Sequence, residues 1–221
     1  MLRGALLIIR WHGHACFEVS DEIQDLTIVT DPHDGRYLGI KPPAVKADII
    51  LVSHDHFDHN STKTVMKKDS KIVDKPGGVK VREVRIKGIQ VFHDSDEGAS
   101  RGQNLIFKFN LADMDFCHLG DLGHLLDEKT VKSLTPIDFL FVPVGGVFTL
   151  DAAQAWKVIR SLEPRVIIPM HYKTGGLSLA IQPIDPFLQL AGDVPIIKIG
   201  NENDFDAPDI PTTLTIWEFS Q

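Results

Sequence analysis

The chain has 221 residues, a formal net charge of −7 and a hydrophobic content of 43%. That length supports one sizeable core without covalent staples, because a chain of this size buries roughly 70% of its unfolded surface. The acidic balance argues against nucleic acid and anionic membrane surfaces as partners, since both call for a basic face.

No stretch reaches the ~18 consecutive apolar residues that a membrane span needs. The apolar opening, residues 2–9, is interrupted by Arg10-Trp11-His12 with no small-residue cleavage site after it, so it reads as a strand rather than a leader. Cys16 and Cys117 lie far apart in apolar surroundings and form no C-x-x-C pair. They are expected to be buried, reduced thiols of a cytoplasmic protein.

In chain order, short β-type runs come first: residues 5–10, 15–19, 26–30 and 48–53. The last of these, Asp48-Ile-Ile-Leu-Val-Ser53, is almost continuously apolar, as a strand covered on both faces should be. Residues 61–68 are expected to form a short helix capped by Ser61. Strands are then predicted over 71–74, 80–85, 89–93, 104–110 and 114–119. The later part alternates helices (127–134; 150–162, capped by Asp151; 187–191) with strands (139–142, 166–169, 213–219). The Pro-rich stretches 41–43 and 207–211 read as surface loops. With no repeat, low-complexity tract or linker, residues 1–221 read as a single α/β domain of stacked sheets flanked by helices.

Ten histidines are many for this length, and one run concentrates them. Ser53-His54-Asp55-His56-Phe57-Asp58-His59 follows the buried strand and offers His54, His56, Asp58 and His59 as ligands. His54 and His56 are two apart, so in extended chain their side chains share a side. Imidazole with carboxylate suits Zn, Fe, Mn or Ni.

At this point the chain resembles the metallo-β-lactamase superfamily, which carries a His-x-His-x-Asp-His pattern after a buried strand. The resemblance implies a four-layer αβ/βα sandwich, a metallo-β-lactamase fold over 1–221, with a metal site along one edge of the paired sheets. Further matches fall at predicted strand ends: Thr30-Asp31-Pro32, His118-Leu119-Gly120-Asp121 and Ile168-Pro169-Met170-His171. The implied first metal position takes His54, His56 and His93, with His118 as the alternative to His93 and Asp94 a weaker substitute. The second takes Asp58, His59 and His171, Asp121 bridges the two, and Asp31 orients a ligand. Two divalent ions are implied, Zn first, with Mn, Ni or Fe as alternatives.

The runs Gly13-His14-Ala15-Cys16-Phe17, Arg101-Gly102-Gln103-Asn104 and Gly120-Asp121-Leu122-Gly123-His124 are similar to the branch near the ascorbate-6-phosphate lactonase type. That similarity implies that His14 and His124 support the ligands or face the substrate, the alternative for each being a structural histidine packed near the site, while His12 and His33 read as structural or solvent-facing.

The expected activity is hydrolysis of an ester, lactone or phosphodiester in a small anionic substrate. A hydroxide held between the two metals is the nucleophile, and Asp58, Asp121 and His124 are the catalytic candidates. Arg101, His124 and Lys173 are candidate anion-binding groups. Two rivals remain: a di-metal oxidoreductase, disfavoured by His56 where those relatives carry Glu, and a non-catalytic metal-binding domain. A homo-oligomer is left open. No G-x-S-x-G elbow and no Walker-type loop are present.

Overall fold

The computed structural model describes residues 7–206 and 209–220. Residues 5–6 of the predicted first strand, and 207–208 of the predicted loop, lie outside them. The first sheet is built from β1 (Leu7–Trp11), β2 (Phe17–Asp21), β3 (Leu26–Thr30), β4 (Ala47–Leu51) and β5 (Met66–Val73). A distant strand, β13 (Glu202–Phe205), completes it in the order β13-β1-β2-β3-β4-β5. The second sheet holds eight strands: β6 (Gly77–Val81), β7 (Val84–Phe92), β8 (Gln103–Leu111), β9 (Met114–His118), β10 (Phe139–Pro143), β11 (Val166–Met170), β12 (Ile196–Ile199) and β14 (Thr215–Phe219). Their order is β12-β14-β11-β10-β9-β8-β7-β6.

Period-2 alternation decides which face each residue serves. In β3 and β4, Ile28, Ile49 and Leu51 join the main core, which also contains Phe107, Phe116, Phe139 and Phe141 of the second sheet. Their alternates Val29 and Ile50 face the other way, into a smaller cluster with Cys16, Val52 and Val65. Within the main core Phe116 stacks between Phe109 and Phe139, with ring centroids 5.1 and 4.8 Å away.

Three α-helices, all inserted among strands of the second sheet, accompany this frame among the described residues: α1 (Glu128–Leu134), α2 (Ala152–Leu162) and α3 (Asp185–Gln189). Asp127 caps α1 by accepting from the Thr130 amide. Asp151 and Gln154 form a reciprocal capping box on α2. The face of α2 carrying Ala155, Trp156, Ile159 and Leu162 is buried, and the Trp156 indole donates to the Phe187 carbonyl on α3. The predicted helices in this part of the chain are therefore present, with α3 lying slightly earlier than expected.

The expected helix at 61–68 is absent. A 3₁₀ turn spans Thr62–Thr64, and Met66 then enters β5, which runs on through the predicted strand at 71–74. The segment has no apolar stripe; Val65 is buried under β3 and β4, and the residues that follow pair with β4. Ser61 makes no side-chain cap bond and instead donates to the Phe57 carbonyl. The predicted strand at 80–85 is also corrected. It contains the turn of a β6–β7 hairpin, where Val81 pairs with Val84 and Arg82 takes φ +52. The short strands β12 and β13 fall outside the expected elements; each is four residues long and largely exposed.

The topology matters for the site. Strands β3 and β4 run parallel, as do β9, β10 and β11. Their carboxyl ends release the chain along one edge, the place where open α/β sheets bind ligands.

Candidate metal centre

Each side chain at this edge is delivered by the end of a strand. β4 is followed by Ser53 and the run to His59, β7 by His93, β9 by Asp121 and β11 by His171. The tip of the β1–β2 hairpin brings His14. One bond between the sheets and one within the second sheet fix this edge. The Leu105 amide donates to the Ser53 carbonyl (2.8 Å), and the Asp121 amide donates to the Asn104 side-chain oxygen (3.0 Å). Gly120, at φ +55, has no room for a side chain: a Cβ would stand 2.3 Å from that Asn104 oxygen and 2.6 Å from the Ser53 Cβ.

Two clusters of ligand atoms result, joined by a third set of His54, His59 and Asp121. His54, His56 and His93 converge in one; His14, Asp58, His59 and His171 converge in the other, each set within 4.8 Å. Asp121 stands between them. Its Oδ2 lies 3.2 Å from His93 Nε2, 3.1 Å from His171 Nε2 and 3.3 Å from His59 Nε2. His54 Nε2 is 3.9 Å away. Asp121 is only 2% exposed, a costly place for a carboxylate unless it has cationic partners.

Asp31 holds this arrangement from behind. Its carboxylate accepts from the Ser53 amide and hydroxyl (2.7 Å each) and from His59 Nδ1 (3.0 Å), which leaves His59 Nε2 facing the centre. The alternatives for the third ligand of the first cluster separate on hydrogen bonding. His118 donates from Nε2 to the Ala15 carbonyl and accepts at Nδ1 from the Gly120 amide, so neither ring nitrogen is free. Asp94 is occupied by the amides of Asp96, Gly98, Ser100 and Arg101, which close its loop.

Two other expectations change. His124, taken as a catalytic candidate, accepts from the Phe92 amide and donates to the Leu125 carbonyl. Both nitrogens are spent fixing the end of β7, next to His93, which leaves no lone pair for acid–base work. Lys173 is not an available anion site, because its ammonium bonds the Leu177 and Leu179 carbonyls. His14, expected to support the ligands or face the substrate, has Nε2 3.1 Å from Asp58 Oδ2 within the buried cluster. His12 and His33 are structural: His12 pairs with Glu18 (3.0 Å), and His33 bonds the His12 carbonyl (3.1 Å). Sequence reading missed the supporting role of Asn104, a buried polar residue at the start of β8.

Electrostatics fit a cation site. Burial drives His14 and His54 down to about 3, with neighbouring histidines adding to the effect, so both stay neutral lone-pair donors. Burial alone would raise Asp121, but His171 and His59 pull it well below the carboxylate range. For His59, burial opposes the charged form, yet Asp121 and Asp31 outweigh it and hold a proton. An ion entering this position therefore displaces that proton. His54 Nε2 and Asp121 Oδ1 are buried without a hydrogen-bond partner, orphans of the kind a metal satisfies.

A cavity of about 420 Å³ adjoins the first cluster, lined by His54, His56, Asp74, Gln90, Arg101 and Gln103 among others. Arg101 lies over the Phe148 ring at 4.3 Å, which steadies its guanidinium at the wall. Both cysteines are free and buried, and burial pushes the Cys117 thiol up to about 12, so neither is a nucleophile.

The comparisons agree with this geometry. A family model described as the β-lactamase superfamily domain matches residues 8–171. A UPF0173 metal-dependent hydrolase of Thermoplasma acidophilum is 30% identical over 214 residues, covering 85% of this chain and 92% of the relative. YtkL of Bacillus subtilis, another UPF0173 metal-dependent hydrolase, is 29% identical over 75% of this chain and 86% of its own. A crystal structure from Thermotoga maritima, described as a Zn-dependent hydrolase of the metallo-β-lactamase superfamily, superposes with a TM-score of 0.77. It is 37% identical and covers 97% of this chain and 100% of its own.

Proposed function

The chain belongs to the β-lactamase superfamily of metal-dependent hydrolases, and on that premise we propose that it uses two divalent ions to hydrolyse a small anionic ester, lactone or phosphodiester. The observation that carries the reading is Asp121: one carboxylate oxygen within 3.3 Å of histidines from both clusters. His54, His56 and His93 would hold one ion; Asp58, His59 and His171 would hold the other, and Asp121 would serve both. The donor set, imidazole with two carboxylates, suits zinc, with manganese, nickel or iron as alternatives. Bound ions supply Lewis acidity and lower the pKa of water from 15.7 to about 7.

The protein's own residues do the rest. Asp31 and Ser53 fix His59 and the start of the ligand run, so the ligands need no reorganisation when an ion binds. His56, half-buried beside the cavity, marks the side from which substrate approaches. Arg101 at that wall supplies the positive charge for a phosphate or carboxylate, while Gln90 and Gln103 offer amides to hydroxyl groups. A phosphorylated lactone, the substrate type implied by the N-terminal resemblance, combines these features. We place the reaction in the cytoplasm, where a reducing milieu keeps two buried thiols free, and take residues 1–221 as one domain.

The test is a hydrolysis panel of phosphorylated and plain lactones, phosphodiesters and thioesters, run on purified protein before and after chelation. Turnover that chelator abolishes and added metal restores is expected. Chelator-insensitive turnover, or redox activity in place of hydrolysis, would overturn the proposal.

A further inference from the structure

The second ligand cluster contains one more residue than the two-metal assignment uses. We infer that His14, at the tip of the β1–β2 hairpin, is a direct nitrogen ligand of the second metal position. This rests on the metal-centre reading above and goes beyond it, because it makes that position richer in protein ligands than its partner.

Geometry carries the inference. His14 Nε2 lies 3.1 Å from Asp58 Oδ2 and 3.2 Å from His59 Nε2, and its ring centroid is 4.2 Å from that of His171. Separations near 3 Å between donor atoms are those of neighbours in one coordination sphere. His59 already donates Nδ1–H to Asp31, so its Nε2 is aimed at the point His14 also faces. His14 is 1% exposed, and its Nδ1 has no partner, a state it shares with His93 and His171.

The backbone is built to hold the ring there. His14 adopts φ +55 after Gly13 at φ +94, a left-handed conformation that a non-glycine residue rarely keeps without cause. Its carbonyl accepts from the Trp11 indole (3.1 Å) and from the amide of His171 (3.2 Å). His171 is itself left-handed at φ +52, so two residues of the cluster brace each other through the main chain.

With His14 counted, the second position is faced by His14, Asp58, His59, His171 and the shared Asp121. The first has three histidines and Asp121, with His54 and His56 beside the cavity. A site with five protein ligands leaves little room for substrate, whereas a four-ligand site with an open side does. The second position therefore anchors and the first receives the substrate. Five ligands also suit ions that accept five or six donors better than four-coordinate zinc.

A crystal structure of the wild-type protein loaded with Co²⁺ decides the point. An ion in the second position with His14 Nε2 at roughly 2.1 Å is expected, a distance of the order typical for metal–imidazole bonds. An ion held by Asp58, His59 and His171 with His14 Nε2 beyond about 3 Å would overturn the inference and leave the metal-centre reading standing. No ion among those residues would overturn both. In solution, His14→Ala should weaken one of two Co²⁺ equivalents by about 10- to 100-fold, the range seen even for outer partners. It should also intensify the visible Co²⁺ band as the coordination number falls. An unchanged band and affinity count against ligation, and if the variant does not fold, the wild-type crystal structure still answers.

Discussion

The two halves of the centre differ in how they are assembled and in what surrounds them. The first half takes His54 and His56 from one short run and adds His93 from the neighbouring sheet; it opens onto the cavity that holds Arg101. The second draws Asp58 and His59 from the same run but completes itself with His14 and His171, residues more than 150 positions apart, and all four are buried. Each half draws on both sheets, but the first borders the cavity through a half-buried His56 while the second is buried throughout. On the proposed reading, substrate contact and ion anchoring are thereby separated, and Asp121 would serve both halves.

That comparison can be broken at its joint. Asp121→Ala should have the largest effect, cutting turnover by about 10³-fold, since metal polarisation supplies several kcal/mol and each 1.36 kcal/mol is tenfold. Elemental analysis should show the second ion lost; a variant with full metal content and full turnover contradicts the bridging role. Next, His93→Ala should empty the first half while the second keeps its ion. His118→Asn should retain both ions, because His118 spends both nitrogens on backbone groups. Metal content of the two variants, measured side by side, decides between these histidines, and the opposite pattern would exchange them.

Asp31→Asn touches the second half from behind. Losing the charged acceptor for His59 Nδ1 should weaken that ion by about 10- to 100-fold, read by chelator competition, with smaller change in the first half.

Glu18 braces the hairpin that carries His14, pairing with Arg10 (2.9 Å) and His12 (3.0 Å) at 7% side-chain exposure. Burial alone would raise its pKa, but His12 and Arg10 together hold it below its ordinary 4.5. A depressed folded-state pKa stabilises above the unfolded value and is lost as pH falls through the folded one. Glu18→Gln should thus cost about 2 kcal/mol near neutrality, and denaturant titrations should show the gap closing below pH ~4. A gap that persists in acid would mean that packing, not charge, holds the hairpin. Asp151→Ala, which removes the α2 cap, should cost about 1 kcal/mol and leave both halves loaded. Metal loss there would mean that the centre depends on α2.

Much of this was legible in the linear chain because the signals are local. The apolar run before Ser53 declared a strand covered on both faces, and the spacing of His54, His56, Asp58 and His59 declared ligands. Asp127 and Asp151 declared helix starts. Where the expectation failed, a non-local term outweighed a local one. Residues 61–68 carry no helical stripe, and from Met66 the chain pairs with β4 instead. His124 looked reactive beside Gly120-Asp121, yet Phe92, 32 positions earlier in the chain, takes its lone pair.

The run of candidate ligands at 54–59, the strand ends beside it and the superfamily resemblance are legible in the chain because each is written in neighbouring residues. The fold spends the polar atoms of His118, His124 and Lys173 on backbone groups and sets His93 beside Asp121 and His14 beside Asp58. Those outcomes depend on which backbone amide or carbonyl meets each side chain across two sheets. That is set by register and sheet packing rather than by spacing along the chain.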